Sequence, residues 1–302
     1  MKRVFYLIIV SVLVAYQSAF AQDDLLKELQ TSVPQKSTPV IATFKGTRLI
    51  NFHTVEVEGA GTLEFRIAHR FGDFSSGSTN FWGLDGPASI QLHLDYSITN
   101  RLMVGIGRTS YNKWADAFVK YKILTQTVEK GMPVTVTGLF STNINLRQDP
   151  TKAATGVEYY QYFSSRLAYF SQVMVARKFN PKLSLQLSPM WVHYNLVQNL
   201  TDNNNMFALE ASGRYKFTRS IALTAEYSYR VFKYSRDFNS YYNALGIGID
   251  VETGGHVFQM FVTNAFGINE VEVIPYTASA WNKGNIRLGF NISRAFTVKH
   301  QK

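Results

Sequence analysis

Ionisable side chains recur at alternate positions along several short segments of the sequence. Within residues 88–98, His93 and Asp95 alternate with Leu92 and Leu94, so an extended strand would carry polar and apolar side chains on opposite faces. Acids and bases of this kind can pair across a water-filled barrel lumen or attract anions into it. The candidate lumen-lining residues are Glu64, Arg66, Arg70, His93, Asp95, Asp116, Lys120, Lys122, Arg166, Glu210, Arg214, Glu226, Arg230, Asp250 and Arg287.

No catalytic, cofactor-binding or metal site is predicted from these residues. His69 is the best candidate base, but alternation places it on the face opposite Ser89, and no metal-spaced histidine pair is present. Gly105 and Gly107 form a G-x-G step inside a strand pattern, without the helix N-terminus that phosphate binding requires. We expect such glycines to relieve crowding at an inner wall, and we predict that the chain is not an enzyme and uses no cofactor.

Twelve segments have the length and alternation of membrane-spanning strands. They are residues 62–71, 88–98, 102–110, 115–123, 132–143, 166–179, 183–194, 206–217, 221–231, 242–252, 256–264 and 285–298. Connections after the even-numbered segments are short and rich in turn residues, whereas most of the others are longer. The pattern predicts an all-β, antiparallel, up-and-down transmembrane β-barrel with short periplasmic turns and longer extracellular loops.

The first 21 residues have the features of an export signal. Lys2 and Arg3 precede the apolar residues 4–14, and Ala19 and Ala21 supply small residues before a cleavage point. The apolar stretch is too short for a spanning helix of about 20 residues. We therefore predict export through the Sec pathway and localisation in the outer membrane, with a barrel at residues 62–298 and a short tail at residues 299–302.

Charge and cysteine content exclude other classes. The chain carries a formal net charge of +10, but its basic residues do not cluster on one face, so a nucleic-acid partner is not expected. It contains no cysteine, which rules out disulfides, thiolate metal sites and a lipidated N-terminal cysteine.

Residues 22–61 precede the predicted barrel and do not share its regular pattern. They contain a short amphipathic patch, a polar linker and an extended stretch at residues 43–57. Three arrangements remain open: the segment plugs the lumen, adds a strand, or lies in the periplasm.

Several short motifs resemble an uncharacterised family of Gram-negative outer-membrane β-barrel proteins. They are residues 44–48 (FKGTR), 69–73 (HRFGD), 81–85 (FWGLD), 95–96 (DY), 101–108 (RLMVGIGR) and 289–294 (GFNISR). The resemblance implies the fold and location but no activity. The last segment also resembles the signal read by the barrel-insertion machinery, although residues continue beyond Phe296. We expect that machinery, outer-membrane lipid and lipopolysaccharide as partners.

These observations favour a narrow channel or solute-binding barrel for an unknown small solute. The alternatives are a non-conducting structural or assembly barrel, an outer-membrane lipid-modifying enzyme, and a soluble periplasmic barrel with its apolar face inward.

Overall fold

The computed structural model describes residues 38–128, 131–197, 202–231, 241–253 and 255–298. The chain divides into two units, one of residues 1–38 and 128–131 and the other of residues 39–127 and 132–302. Every strand below belongs to the second unit. The predicted signal peptide and the predicted tail lie outside the described residues.

Twelve strands among the described residues form one closed antiparallel barrel, as predicted. They are β1 Thr62–Arg70, β2 Ser89–Ser97, β3 Leu102–Thr109, β4 Trp114–Leu124, β5 Thr135–Asn145, β6 Leu167–Lys178, β7 Leu183–Tyr194, β8 Asn205–Lys216, β9 Ile221–Arg230, β10 Ala244–Thr253, β11 His256–Thr263 and β12 Arg287–Thr297. Sequence neighbours pair throughout, and β1 closes on β12 with Ile67 opposite Ile292. The ring therefore leaves no unpaired strand edge.

Several predicted strand starts were wrong by one to three residues, and two of these differences have local reasons. β5 begins at Thr135 rather than at residue 132, because Pro133 has no N–H to give to a strand ladder. β6 begins at Leu167, because Arg166 ends a 3₁₀ turn at Phe163–Arg166. Arg166 is therefore a loop residue rather than part of a strand.

The barrel is apolar outside and polar inside. Along β2, Leu92 is 49% exposed while Asp95 is fully buried. A water-soluble barrel would place polar side chains outside and apolar ones inside, whereas hydrocarbon around the outside favours the observed arrangement. The soluble-barrel alternative is therefore excluded.

Short connections gather at one end of the barrel and longer ones at the other. The connections at residues 98–101, 179–182 and 217–220 lie at what we name the turn end, together with the longer β4–β5 connection. The opposite end, named the loop end, carries the loop of residues 71–88 between β1 and β2 and the loop of residues 264–286 between β11 and β12. Which end faces the periplasm stays a prediction.

Helical structure in the described residues is confined to the loops. The two α-helices are α1 Lys152–Thr155 and α2 Glu270–Tyr276. None of the described helices has the length and apolar character needed to cross a membrane. Asn269 caps α2 by accepting a hydrogen bond from the Val271 N–H, and Glu270 and Glu272 lie in its first turn, where the helix dipole favours carboxylates.

Candidate functional site

A hairpin formed by residues 43–57, which we name the plug hairpin, lies inside the barrel. Arg48 and His53 pair across its two arms, and the Thr54 N–H donates to the Thr47 carbonyl at 3.0 Å. The Leu49 N–H donates to the Phe52 carbonyl at 3.1 Å, which closes a four-residue turn. The hairpin is thus a locally complete element whose ladder does not involve the barrel strands.

Apolar residues of the plug hairpin are buried in the lumen, where they meet apolar side chains of the barrel wall. Phe44, Ile50 and Val55 are each at most 2% exposed and belong to one cluster with inward-facing Phe118 and Phe261. Burial of such side chains stabilises the docked hairpin by roughly 1.5–3 kcal/mol each.

The hairpin turn is bound by a carboxylate of the barrel wall. Glu226 on β9 accepts the backbone N–H groups of Ile50, Asn51 and Phe52 at 3.3, 3.0 and 3.2 Å. The Asn51 side-chain amide adds a fourth donor at 3.0 Å. Successive N–H groups in a turn make a concave anion site, and here the anion comes from the wall.

Cationic and amide side chains bind the opposite side of the same turn. The Ile50 carbonyl accepts from Arg70 on β1 at 2.9 Å and from the Asn291 amide on β12 at 3.1 Å. The Arg70 guanidinium also lies over the Phe261 ring, 4.2 Å from its centroid. Charged and amide side chains of three strands therefore hold the hairpin tip.

The hairpin arms are held by polar side chains nearer the turn end. The Thr47 hydroxyl donates to Glu64 at 2.7 Å, and Lys120 donates to the Thr47 carbonyl at 3.2 Å. The Val55 N–H donates to Gln186 at 2.9 Å, while its carbonyl accepts from Thr137 at 2.9 Å. Side chains of the wall thus bind backbone groups on both arms of the hairpin.

A second segment enters the lumen from the loop end. In this segment, which we name the inward loop (residues 264–286), the residues from Glu270 to Pro275 are buried. The Asn269 amide donates to Asp116 on β4 at 3.2 Å, and the Tyr194 hydroxyl donates to the Val271 carbonyl.

The inward loop and the plug hairpin meet at a buried ion pair. Arg48 of the hairpin donates to the Glu270 carboxylate, and both side chains are almost fully buried. His53 lies 3.5 Å from the same carboxylate. Burial lowers the pKa of His53 well below its usual value, and the neighbouring Arg48 lowers it further, so His53 is neutral at pH 7.

A separate polar cluster lies on the inner faces of β2 and β4. His93 is hydrogen-bonded to Asp95 through Nδ1 and to Asp116 through Nε2, the latter at 2.7 Å. A Cβ on Gly105 would lie 2.2 Å from the Asp95 carboxylate, and one on Gly107 would lie 2.1 Å from the His93 ring. The prediction that these glycines relieve crowding at the inner wall is confirmed.

Most of the predicted lumen-lining residues are buried and make contacts in one of three places. Arg70, Glu64, Lys120 and Glu226 bind the plug hairpin, and Lys122 is half-buried beside Glu56 at 3.4 Å. The remaining residues bind the inward loop or pair with other wall residues. These contacts join Arg230 to Pro275, Arg287 to Ser279, Arg214 to Asp250, Arg66 to Gln91, and Glu210 to Gln186. Arg166 lies at the loop end, where it donates to the backbone carbonyls of Asn145 and Arg147.

Sequence patterns did not identify Arg48, His53, Glu270 or Glu272 as site residues. They belong to connecting segments, whose conformation no strand periodicity fixes. A usable signal is the presence of four large apolar residues within each short segment, where a solvent-exposed connection would be mostly polar. They are Leu49, Ile50, Phe52 and Val55 in the first segment and Ile268, Val271, Val273 and Ile274 in the second.

His69 offers no catalytic arrangement with the serine considered in the sequence. Its ring stacks on Phe290 with centroids 5.0 Å apart on the outer face, whereas Ser89 is fully buried on the inner face. That the chain is not an enzyme stays a prediction.

Fold and site together define a closed, outer-membrane type of β-barrel with two of its own segments inside the lumen. Residues 44–296 match the protein-family model described as "Membrane bound beta barrel domain (DUF5777)". The chain belongs to this family. Because the match starts at Phe44, the family domain includes the plug hairpin as well as the barrel.

Solved structures similar to this chain include outer-membrane channels and an enzyme. The KdgM porin is 10% identical with a TM-score of 0.45, and the match covers 78% of this chain and 99% of that one. The COG4313 outer membrane channel from Pseudomonas putida F1 is 13% identical with a TM-score of 0.44, covering 80% and 98%. Outer membrane phospholipase A from Escherichia coli is 14% identical with a TM-score of 0.44, covering 83% and 95%. The comparison with curated proteins finds no match.

Proposed function

We propose that this protein is an outer-membrane channel whose lumen is closed at rest by its plug hairpin. The observation that carries the proposal is the way the hairpin is held. Within residues 43–57, the backbone hydrogen bonds to other backbone groups are internal to the hairpin, and the links to the wall use side chains. The hairpin can leave without breaking the strand pairing that closes the barrel.

The wall behind the hairpin supports a conducting role. Arg70, Lys120 and Glu226 point inward, and water can replace their hydrogen bonds to the hairpin at a net cost of about 0.5–3 kcal/mol each. Polar side chains of this kind suit a lumen that fills with water when the hairpin withdraws.

A reversible cross-link tests whether the hairpin is the gate. A Cβ on Gly246 would lie 3.5 Å from the Ile50 Cβ, which suits a disulfide, and the native chain contains no cysteine. We combine Ile50→Cys and Gly246→Cys with Glu226→Ala, which removes the acceptor of the turn N–H groups. Planar-bilayer current is then recorded before and after reduction.

We expect large current from the reduced triple variant and almost none after oxidation. Ile50→Cys with Glu226→Ala is the control and should conduct under both conditions. Glu210→Ala removes a neighbouring buried carboxylate whose partner is Gln186, and it should stay closed. Current that is equally absent from oxidised and reduced protein would defeat the proposal and favour a non-conducting barrel.

A further inference from the structure

The loop end contains a cavity that the plug hairpin does not occupy. Its volume is about 590 Å³, within the roughly 300–1,000 Å³ typical of small-molecule sites. Residues of the inward loop form one side of it, and residues of the β5–β6 loop form another. The cavity therefore lies on the loop-end side of the plug hairpin, and no hairpin residue lines it.

Two arginines give this cavity a positive character. Arg166 is held by the Asn145 and Arg147 carbonyls at 3.1 and 2.7 Å, and its guanidinium lies 4.1 Å over the centre of the Tyr160 ring. Arg147 donates to the Asn112 side-chain oxygen at 3.0 Å. Neither forms an ion pair with a carboxylate of the described residues. Each guanidinium has five N–H donors, so both keep donors for a ligand.

Glu272 is the single carboxyl group of the described residues that lines the cavity, and it does not offset this charge at neutral pH. Glu272 is buried, and its carboxyl oxygen accepts from the Asn112 amide at 2.7 Å. Burial raises the pKa of Glu272 to about 8, although Asn112, Trp114 and the charge of Arg147 each act to lower it. Arg287, also in the lining, is paired with Asp73 at 3.2 Å. Arg147 and Arg166 therefore make the charge of the cavity lining positive.

Aromatic rings and amides complete the lining. Tyr159 and Tyr160 meet edge to face with centroids 4.9 Å apart, and Trp114 and Tyr194 do so at 6.2 Å. Such rings offer flat apolar surfaces to a ring-shaped ligand while their hydroxyl groups form hydrogen bonds. Asn112 and Asn145 add amide N–H groups that can bind hydroxyls.

We propose that the loop-end cavity binds a sugar acid, a polyhydroxylated ring with one carboxylate. Arg147 and Arg166 bind the carboxylate, the tyrosines contact the ring, and the amides bind its hydroxyl groups. Guanidinium groups suit a carboxylate because they present paired donors in a plane. The site is separate from the plug hairpin, so this proposal does not depend on conduction.

Titration calorimetry in detergent with glucuronate as the probe tests the proposal. Glucose lacks the carboxylate, benzoate lacks the hydroxyl groups, and inorganic phosphate lacks the ring. We expect glucuronate to bind at least tenfold more tightly than any of these three. Equal binding of benzoate, phosphate or glucose, or no binding of glucuronate, would overturn the assignment.

Variants locate the binding site. Arg166→Gln should weaken glucuronate binding roughly tenfold or more, because it removes a charge-assisted contact. Arg147→Gln should weaken glucuronate binding to the same extent. Because Arg147 is exposed, this variant should fold normally even if Arg166→Gln does not. Arg177→Gln is the matched control, since this exposed arginine lies on β6 near the turn end.

The same measurement on the oxidised Ile50→Cys, Gly246→Cys protein separates the two proposals. Glucuronate should bind as tightly to this locked barrel as to the native chain. Loss of binding in both Arg147→Gln and Arg177→Gln would contradict the site, whatever the conductance experiment shows.

Discussion

The plug hairpin and the inward loop both fill the lumen, but they are attached in different ways. The hairpin meets the barrel through wall side chains, such as Glu226 and Arg70. The inward loop is also bound through its backbone, since the Asn264 N–H donates to the Leu245 carbonyl of β10 at 3.4 Å and the Tyr242 N–H of the β9–β10 loop donates to the Thr277 carbonyl at 2.8 Å. Water can replace hydrogen bonds to wall side chains one at a time. The comparison therefore predicts that the hairpin is the movable part and the inward loop the fixed one.

The largest expected effect comes from breaking the ion pair between the two regions. Arg48→Ala leaves Glu270 buried without its charge partner, which typically costs about 3–5 kcal/mol. We expect a loss of this size in the free energy of unfolding, measured by urea titration in detergent.

Pairing that change with Glu270→Gln sharpens the comparison. The double variant should recover part of the loss, because no uncompensated carboxylate remains. If Arg48→Ala alone lowers stability by less than about 0.5 kcal/mol, the two regions are not coupled.

A smaller effect is expected from crowding the hairpin tip. A Cβ on Gly246 would lie 2.8 Å from the Ile50 side chain, so Gly246→Val forces the hairpin out of its place. Overpacking of this kind costs about 1–3 kcal/mol. We expect faster proteolysis within residues 43–57. Gly138→Val, where an added Cβ would make only an ordinary contact with the Ile123 side chain at 3.8 Å, is the control and should leave the cleavage rate unchanged.

Weakening the inward loop should lower the stability of the protein by a smaller amount. Asn269→Ala removes both the cap of α2 and the hydrogen bond to Asp116, a loss of about 1 kcal/mol. We expect slightly lower thermal stability and no new bilayer current. If Asn269→Ala gave a current as large as that of the reduced triple variant, the inward loop rather than the hairpin would be the movable part.

The smallest effect concerns pH at the base of the hairpin. Burial raises the pKa of Glu58 to about 7, and the negative charges of Glu64 and Glu56 raise it further, while Lys45 and Lys120 oppose them. The docked hairpin thus favours neutral Glu58, whereas a withdrawn one has the usual pKa near 4.5. Docking is strongest below that value and weakens as pH rises through about 7.

Open probability measured in bilayers at about pH 5 and pH 8 checks this sign. It should be higher at pH 8 in the native chain, and the difference should shrink in Glu58→Gln. A higher open probability at the lower pH would contradict the proposed role of Glu58.

Sequence periodicity predicted the barrel because every strand separates two media. Leu92 and Asp95 could be assigned to opposite faces without knowing any contact, since the strand period fixes the face. Nothing comparable constrains residues 43–57 or 264–286. Their apolar residues, such as Phe52 and Ile274, are buried only because the lumen around them has matching partners. Those partners, including Glu226 for the hairpin turn, come from distant strands and could not be predicted from spacing.

The closure of β1 on β12 sets an order for assembly. The hairpin is made before any strand, yet its binding partners lie on strands that span the sequence from β1 to β12. Until β12 joins β1, Arg70 and Asn291 do not form the shared surface that binds the Ile50 carbonyl. The hairpin tip can therefore complete its contacts only during or after closure of the ring, although it precedes every described strand in the chain.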